Sequence, residues 1–245
     1  MTTMNRRAFV TGGGTGLAAL ALAGCENPEP FSGPFGQPPR ARRPEPVSEP
    51  ASEPIFAARD DVTASYGPVT GEPFPIPAAP LSRINPAFLR TRVNYQGRET
   101  PGTIVVDPAR RYLYLVQEGG RAMRYGVGVG REGFGWSGTA EIKDKQAWPD
   151  WYPPKEMIQR QPEIRKQVEE LEGGLGVPGG TRNPLGARAM YLWQNGKDTL
   201  YRIHGTLEPW TIGTSVSSGC IRMINQDAID LYERVPLGTK VVVLS

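Results

Sequence analysis

Apolar residues in the second half of the chain, from about residue 101, occur in short runs broken by glycine, proline, aspartate and asparagine. Some runs alternate apolar with polar positions, and others are continuous stretches rich in β-branched and aromatic residues. Both patterns are typical of strands. We therefore predict strands at GTIVVD, RYLYLVQ, AMRYGVGVG, TAEIK, ARAMYLWQ, TLYRIHG and TKVVVL.

Two segments depart from the β pattern and predict short helices. Residues 162–171 start with proline, carry apolar residues at helical spacing and are followed by glycine. Residues 225–235 offer Asn225 as a cap and Asp227 in the first turn, where a negative charge is favourable. The sequence thus predicts a mainly β domain over residues 95–245, with one or two short helices.

The part of the chain before this domain has a different composition. More than half of the 25 prolines lie between residues 26 and 80, in pieces such as PEPFSGPFGQPPRARRPEPVSEP, with few apolar residues to bury. Proline interrupts both helices and strand ladders. We predict that residues 25–94 form a largely disordered tether.

The first 24 residues predict an export signal. Arg6 and Arg7 precede a glycine-rich, weakly apolar stretch that is shorter than the roughly 20 residues of a spanning helix. Adjacent arginines there resemble a twin-arginine signal. LAGC, ending at Cys25, resembles a lipobox, which predicts a lipid-anchored protein of the periplasm or cell envelope. The alternative is an ordinary cleaved signal in which Cys25 is incidental.

Charge and composition exclude several function classes. The net charge is +3, and without the two signal arginines it is close to zero, so we expect no nucleic-acid partner. If Cys25 carries lipid, the remaining histidine and cysteine cannot make a three-ligand nitrogen and sulfur zinc site without carboxylates, and GVGVGREG is not followed by the Gly-Lys-Ser/Thr of a phosphate-binding loop. We therefore predict no metal and no cofactor.

Candidate chemistry is concentrated in one stretch, YRIHGTLEPWTIGTSVSSGCIRM, which holds His204 and Cys220. A cysteine nucleophile needs a base, oxyanion donors and a group that orients the base. His204 is the one imidazole available to take the thiol proton, and Gly219 allows a sharp turn that points backbone amides at one spot. A backbone carbonyl beside His204 would orient the ring. Taken singly, a buried cysteine or histidine is more often structural.

These residues carry a resemblance to a known family. HGT, SSGCIRM and an aspartate seven residues after the cysteine, together with WPDWYPP, NPLGARAMYLW and LYERVPLGTKVVV, resemble the L,D-transpeptidase catalytic domain, the YkuD or ErfK/YbiS family. The resemblance covers nearly all of residues 100–245. It implies a β-sandwich-type domain that cleaves the bond between diaminopimelate and D-alanine in peptidoglycan stem peptides through a thioester, and that is acylated by carbapenems.

Carried over to this sequence, the resemblance makes Cys220 the nucleophile and His204 the proton acceptor and donor. It implies that Gly205 orients His204 through its carbonyl and that Gly219 contributes to the oxyanion hole. Arg222 would bind a substrate carboxylate or brace the loop, with a salt bridge to a group such as Asp227 as the alternative. Ser218 and Trp210 are two further candidates for substrate binding. Many members have histidine where this chain has Ser218, directly before the Gly-Cys pair.

The acyl acceptor is left open by the sequence. An amine of a second stem peptide or of an envelope protein would make the chain a transpeptidase, and water would make it a carboxypeptidase or amidase. A non-catalytic wall-binding module, in which the groove is kept but there is no turnover, is a further alternative. Four tryptophans are candidates to line a glycan or peptide groove and are otherwise core or rim residues: Trp136, Trp148, Trp151 and Trp210. A papain-like peptidase would have the cysteine before the histidine, the reverse of the order found here.

Overall fold

The large sheet follows from the predicted apolar runs. The computed structural model describes residues 63–130, 136–160, 162–217 and 219–245. Within them, nine strands form one mixed sheet in the order β1-β4-β3-β2-β13-β6-β9-β10-β12. The strands are β1 (Thr91–Asn94), β2 (Ile104–Asp107), β3 (Tyr112–Gln117), β4 (Arg121–Gly126), β6 (Gly138–Ala147), β9 (Arg188–Gln194), β10 (Lys197–His204), β12 (Ile221–Arg222) and β13 (Lys240–Val243).

Two smaller pairings complete the strands. β5 (Val129–Gly130) runs parallel to β11 (Ser215–Ser217), and β7 (Glu169–Leu171) forms a hairpin with β8 (Gly174–Gly176). Past the end of β4, Gly128 exchanges two backbone hydrogen bonds with Arg222 of β12. The sheet therefore bends round until the chain after β4 meets its far edge.

Among the described residues, α1 (Lys155–Arg160) and α2 (Asn225–Arg234) accompany the sheet. Short 3₁₀ turns occur at Leu81–Arg83, Pro86–Phe88, Pro162–Lys166 and Pro209–Thr211. The mainly β fold with few helices and the predicted strands are confirmed. The helix predicted over residues 162–171 is wrong for its second half, because the 3₁₀ helix ends at Lys166, a turn follows, and Glu169–Leu171 is β7.

The core lies between the curved sheet and α2. Ile104, Leu113, Ile142, Leu192 and Leu231 are among its fully buried side chains. These residues come from the alternate positions of the predicted strands and from one face of α2, as period-2 and helical patterning require.

A second, smaller cluster lies under residues 63–90, which we call the N-terminal strap. Tyr66 and Ile84 from the strap are buried with Ile212 and Ile224. The hydroxyl of Tyr66 donates to the carboxylate of Asp227, 2.9 Å and 3.0 Å from its two oxygens. The strap is thus part of the folded body.

The tether predicted over residues 25–94 therefore needs correction at its C-terminal end, because β1 and the strap are packed. Proline excludes regular structure but leaves an extended segment able to lie on a surface, and a few apolar anchors are enough to hold it. Residues 1–62, including the predicted signal and Cys25, lie outside the described residues.

Candidate active site

His204 ends β10 and is almost fully buried, with 4% of its surface exposed. β10 and β12 are parallel, with Ile203 opposite Ile221 and His204 opposite Arg222. Since neighbouring side chains point to opposite faces and both isoleucines lie in the core, His204 and Arg222 project from the other face. The ladder continues with the amide of Met223, which donates to the carbonyl of His204 (2.8 Å).

The imidazole is oriented by the next peptide unit. Nδ1 of His204 lies 2.6 Å from the carbonyl oxygen of Gly205. A carbonyl oxygen only accepts hydrogen bonds, so Nδ1 carries the proton of the neutral ring and Nε2 has the lone pair. The amide of Gly205 in turn donates to the carbonyl of Arg188 (3.0 Å). The ring is therefore held with Nε2 as the basic atom.

Burial lowers the pKa of His204 to about 4. The positive charges of Arg222 and Arg202 act in the same direction, and the carbonyls of Gly205 and Leu185 oppose the shift. The ring is consequently neutral, and able to accept a proton, at all pH values well above 4.

Cys220 stands immediately before β12. It therefore leaves the backbone on the same side as Arg222, which is also the side of His204. The backbone amide of Arg202 hydrogen-bonds to its sulfur, so the thiol lies against β10 two residues before His204. Gly219 has a φ of +122°, a conformation that favours glycine. This turn aims the thiol toward β10.

Burial raises the pKa of Cys220 above its ordinary value. The charge and amide of Arg202 and the charge of Arg222 only partly offset it, and Asp198 adds to it. The thiol is thus protonated at neutral pH. The two pKa shifts together favour an uncharged thiol and an uncharged ring at neutral pH.

The three residues assigned to substrate binding have different surroundings. Nη1 of Arg222 is 3.6 Å from a carboxylate oxygen of Glu208, in a pair whose acidic side chain is about half exposed at 54%. Trp210 is partly exposed, and the guanidinium of Arg83 lies 3.9 Å above its ring. Ser218 lies outside the described residues.

Of the four tryptophans proposed to line a groove, Trp136 lies beside the turn at Gly219 that precedes Cys220. Its ring stacks on Tyr201 with centroids 5.2 Å apart. Tyr201 also covers Gly219, where an added Cβ would lie 3.2 Å from the tyrosine ring. Together they line a small apolar cavity directly beneath the turn that precedes Cys220.

Two other tryptophans of that set have structural contacts. Nε1 of Trp148 donates to Glu72 of the strap (2.7 Å), and its ring packs edge-on against Phe74. The backbone of Trp151 exchanges hydrogen bonds with Val177.

Sequence reasoning missed the contacts of two asparagines, the buried Asn183 and the partly buried Asn225. The side chain of Asn183 donates to the carbonyls of Pro149, Val177 and Pro178 and so joins the loops that precede β9. Asn225 was predicted to cap α2, but Ile224 occupies the N-cap position and makes no side-chain cap bond. Asn225 instead bonds to the loop that carries Gly205. No local pattern indicates either set of contacts.

In the described part of the chain, no three His, Cys, Asp or Glu side chains are grouped as a metal site. None of the helices described is long and apolar enough to cross a membrane.

Comparison with curated proteins finds relatives that are named as probable L,D-transpeptidases. Probable L,D-transpeptidase YbiS of Escherichia coli K12 is 36% identical over 143 residues, 56% of this chain and 43% of YbiS. Probable L,D-transpeptidase ErfK/SrfK of the same organism is 35% identical over 146 residues, 58% of this chain and 43% of that protein. This chain thus spans less than half the length of these two relatives.

A solved structure from Brucella melitensis, described as a probable carnitine operon oxidoreductase caia, is 53% identical to this chain. It covers 66% of this chain and 96% of its own, with a TM-score of 0.45. The model of the YkuD family, the L,D-transpeptidase catalytic domain, matches residues 101–243. Because that match takes in more than half of the sequence, this chain belongs to the L,D-transpeptidase catalytic-domain family.

Proposed function

We propose that this protein is a peptidoglycan L,D-transpeptidase in which Cys220 is the nucleophile and His204 is the base. The observation that carries the proposal is the parallel register of β10 and β12, which sets His204 opposite Arg222, two residues after Cys220. Membership of the family supports the same assignment.

In the first half-reaction, the donor is a stem tetrapeptide that ends in D-alanine. The sulfur of Cys220 attacks the carbonyl carbon of the third residue, usually diaminopimelate, while Nε2 of His204 takes the thiol proton. Amides of Gly219 and Cys220 stabilise the oxyanion. The tetrahedral intermediate collapses as Nε2 returns the proton to the D-alanine amine, which leaves a thioester.

In the second half-reaction, an amine attacks the thioester carbonyl and gives its proton to Nε2 of His204. The carbon–sulfur bond breaks, an amide is formed, and the imidazolium returns the proton to the thiolate of Cys220. An amine of another stem peptide gives a cross-link, and an amine of an envelope protein gives covalent anchoring. Water in the same position would make the protein a carboxypeptidase or an amidase.

Arg222 is suited to bind a carboxylate of the substrate. Its present partner, Glu208, is about half exposed and lies at 3.6 Å, beyond ordinary hydrogen-bond distance, so exchange for a substrate carboxylate costs little. The proposal also keeps Trp210 and Ser218 in substrate binding.

Export and lipidation belong to the same proposal. A twin-arginine-like signal over residues 1–24 and a lipid on Cys25 would place the domain in the periplasm, near its substrate. Mass analysis of the mature N-terminus tests this: a diacylated or triacylated Cys25 supports it, and a mature start elsewhere contradicts it.

Incubation with disaccharide tetrapeptide, followed by mass analysis, tests the activity. A cross-linked dimer with release of D-alanine supports transpeptidation, whereas a trimmed tripeptide alone indicates hydrolysis. Cys220→Ser should abolish both products. Undiminished binding of Cys220→Ser to purified wall, with no D-alanine released by the wild type, would instead favour a wall-binding module.

Carbapenem treatment is an independent test of the nucleophile. We expect a covalent adduct on the peptide that contains Cys220. A folded sample without that adduct contradicts the proposal.

A further inference from the structure

Asn225, the first residue of α2, directs its side chain away from its own helix. Oδ1 accepts from the amide of Ala187 (3.0 Å), and Nδ2 donates to the carbonyl of Thr206 (3.1 Å). Ala187 directly precedes β9, and Thr206 comes shortly after β10. One amide group therefore joins the start of one strand to the end of its neighbour, which carries His204.

Gly205 lies directly under this amide group. A Cβ added at Gly205 would collide with Oδ1 of Asn225, so the asparagine rests on the bare glycine backbone. The carbonyl of Gly205 is the group that accepts from Nδ1 of His204. Asn225 thus packs on the peptide that orients the imidazole and bonds to the next carbonyl along the chain.

We propose that Asn225 is a positioning residue, which holds the Gly205 carbonyl against Nδ1 and keeps Nε2 of His204 as the basic nitrogen. The inference rests on the proposed catalytic role of His204. A carbonyl that is held in place selects the tautomer of the ring it faces, and a carbonyl that can move allows both tautomers.

The neighbouring residue provides a matched control. Gln226 is also buried, and its side-chain amide donates to the carbonyls of Gly67 and Pro77, at 3.0 Å each. Both carbonyls belong to the strap. Gln226→Ala therefore removes side-chain bonds at the same end of α2, but none to the loop of His204.

His204 is the one histidine of the sequence, so nitrogen-15 signals of imidazole report this residue alone. The full chain, labelled on histidine and prepared without a histidine tag, is compared with Asn225→Ala and Gln226→Ala. We expect a single Nδ1–H tautomer in the wild type and in Gln226→Ala, and a mixture in Asn225→Ala. Acylation of Cys220 by a carbapenem should slow on the order of 100-fold in Asn225→Ala and change little in Gln226→Ala.

If Asn225→Ala does not fold, Asn225→Asp replaces it in the experiment. The aspartate keeps the acceptor for the amide of Ala187 and loses the donor to the carbonyl of Thr206. Gln226→Glu is then the control, because it adds the same charge one residue away. A mixture of tautomers only in the Asn225 variant supports the inference. Equal tautomer ratios in both variants overturn it. If the wild type is not acylated, the proposed function fails, while the tautomer measurement still decides the role of Asn225.

Discussion

At the scale of residues, burial shifts the pKa values of His204 and Cys220 in opposite directions. It lowers the pKa of His204 to about 4 and raises the pKa of Cys220, so both are uncharged near neutral pH. In the proposed mechanism, the imidazole would take the thiol proton as the sulfur attacks, rather than in the resting protein. The charges of Arg202 and Arg222 would favour the thiolate that leaves when the acyl group departs.

The raised pKa of Cys220 predicts how its alkylation depends on pH. The rate with iodoacetamide should reach half of its maximum at a higher pH in the folded protein than in urea, because only the thiolate reacts. Peptide-resolved mass spectrometry separates Cys220 from Cys25. Arg202→Gln should move the midpoint further upward. A folded-state midpoint below that in urea would indicate a preformed thiolate–imidazolium pair instead.

The conformation of Gly219 predicts the effect of an alanine substitution there, and Gly238→Ala serves as the control variant. Both have positive φ, +122° and +80°, but an added Cβ meets Tyr201 at the first and nothing at the second. We expect each alanine variant to lose about 1 kcal/mol in urea unfolding. Gly219→Ala should also slow carbapenem acylation on the order of 100-fold, through its misplaced amide. Unequal stability losses with equal acylation rates would contradict this.

At the scale of elements, the N-terminal strap is held by polar contacts as well as by its apolar anchors. Both carboxylate oxygens of Glu72 accept from the guanidinium of Arg188, and one also accepts from Trp148. The hydrogen bond from Arg188 holds the pKa of Glu72 below its ordinary value, with Trp148 assisting and burial opposing. The strap is therefore fastened to the start of β9, next to the loop that orients His204.

This ion pair predicts a measurable contribution to stability. Its side chains are only 14% and 10% exposed, so Glu72→Gln leaves the Arg188 charge buried and should cost about 3 kcal/mol in urea unfolding. Glu99→Gln is the control, because its partner Lys240 is 49% exposed, and should cost less than about 1 kcal/mol. Trypsin should also cleave the strap faster in Glu72→Gln. Equal losses of unfolding free energy in Glu72→Gln and Glu99→Gln would contradict the prediction that burial makes the Glu72–Arg188 pair the more important of the two.

At the scale of the whole molecule, two buried groups give opposite dependences of stability on pH. The pKa of His204 is about 4 instead of 6.5. The stability that the folded protein gains from its neutral imidazole is therefore complete above pH 6.5 and is lost as the pH falls through 4. Burial raises the pKa of Asp227 from 3.8 to about 7, against Arg90 and Tyr66. Its contribution is complete below 3.8 and is lost as the pH rises through 7. Between about 4 and 6.5 the two dependences largely cancel.

Replacing Asp227 should therefore leave the pH dependence of stability that is due to His204. In Asp227→Asn, the free energy of unfolding should fall by about 1.4 kcal/mol per pH unit between pH 6.5 and 4, while the wild type changes much less. His204→Gln should give the reverse slope, with stability falling as the pH rises toward 7. Urea unfolding at a series of pH values measures both. Parallel curves for Asp227→Asn and the wild type would rule out this linkage.

Much of the fold was predictable because strand formation here follows local patterning. The runs around Ile104, Leu113 and Leu192 alternate or continue as strands do, and their apolar positions are the core. The helix over residues 162–171 failed because its three spaced apolar residues are too few to stabilise a helix. Glycines 173 and 174 instead allow a hairpin.

The strands, the family and the choice of His204 and Cys220 as candidate reactive groups could be predicted from the residues alone, because all three depend on residue type and short-range order. The packed strap, the uncharged state of the pair and the contacts of Asn225 appear only in the folded chain. These depend on contacts such as Tyr66 with Asp227, which are 161 positions apart, and on burial, which no local pattern records.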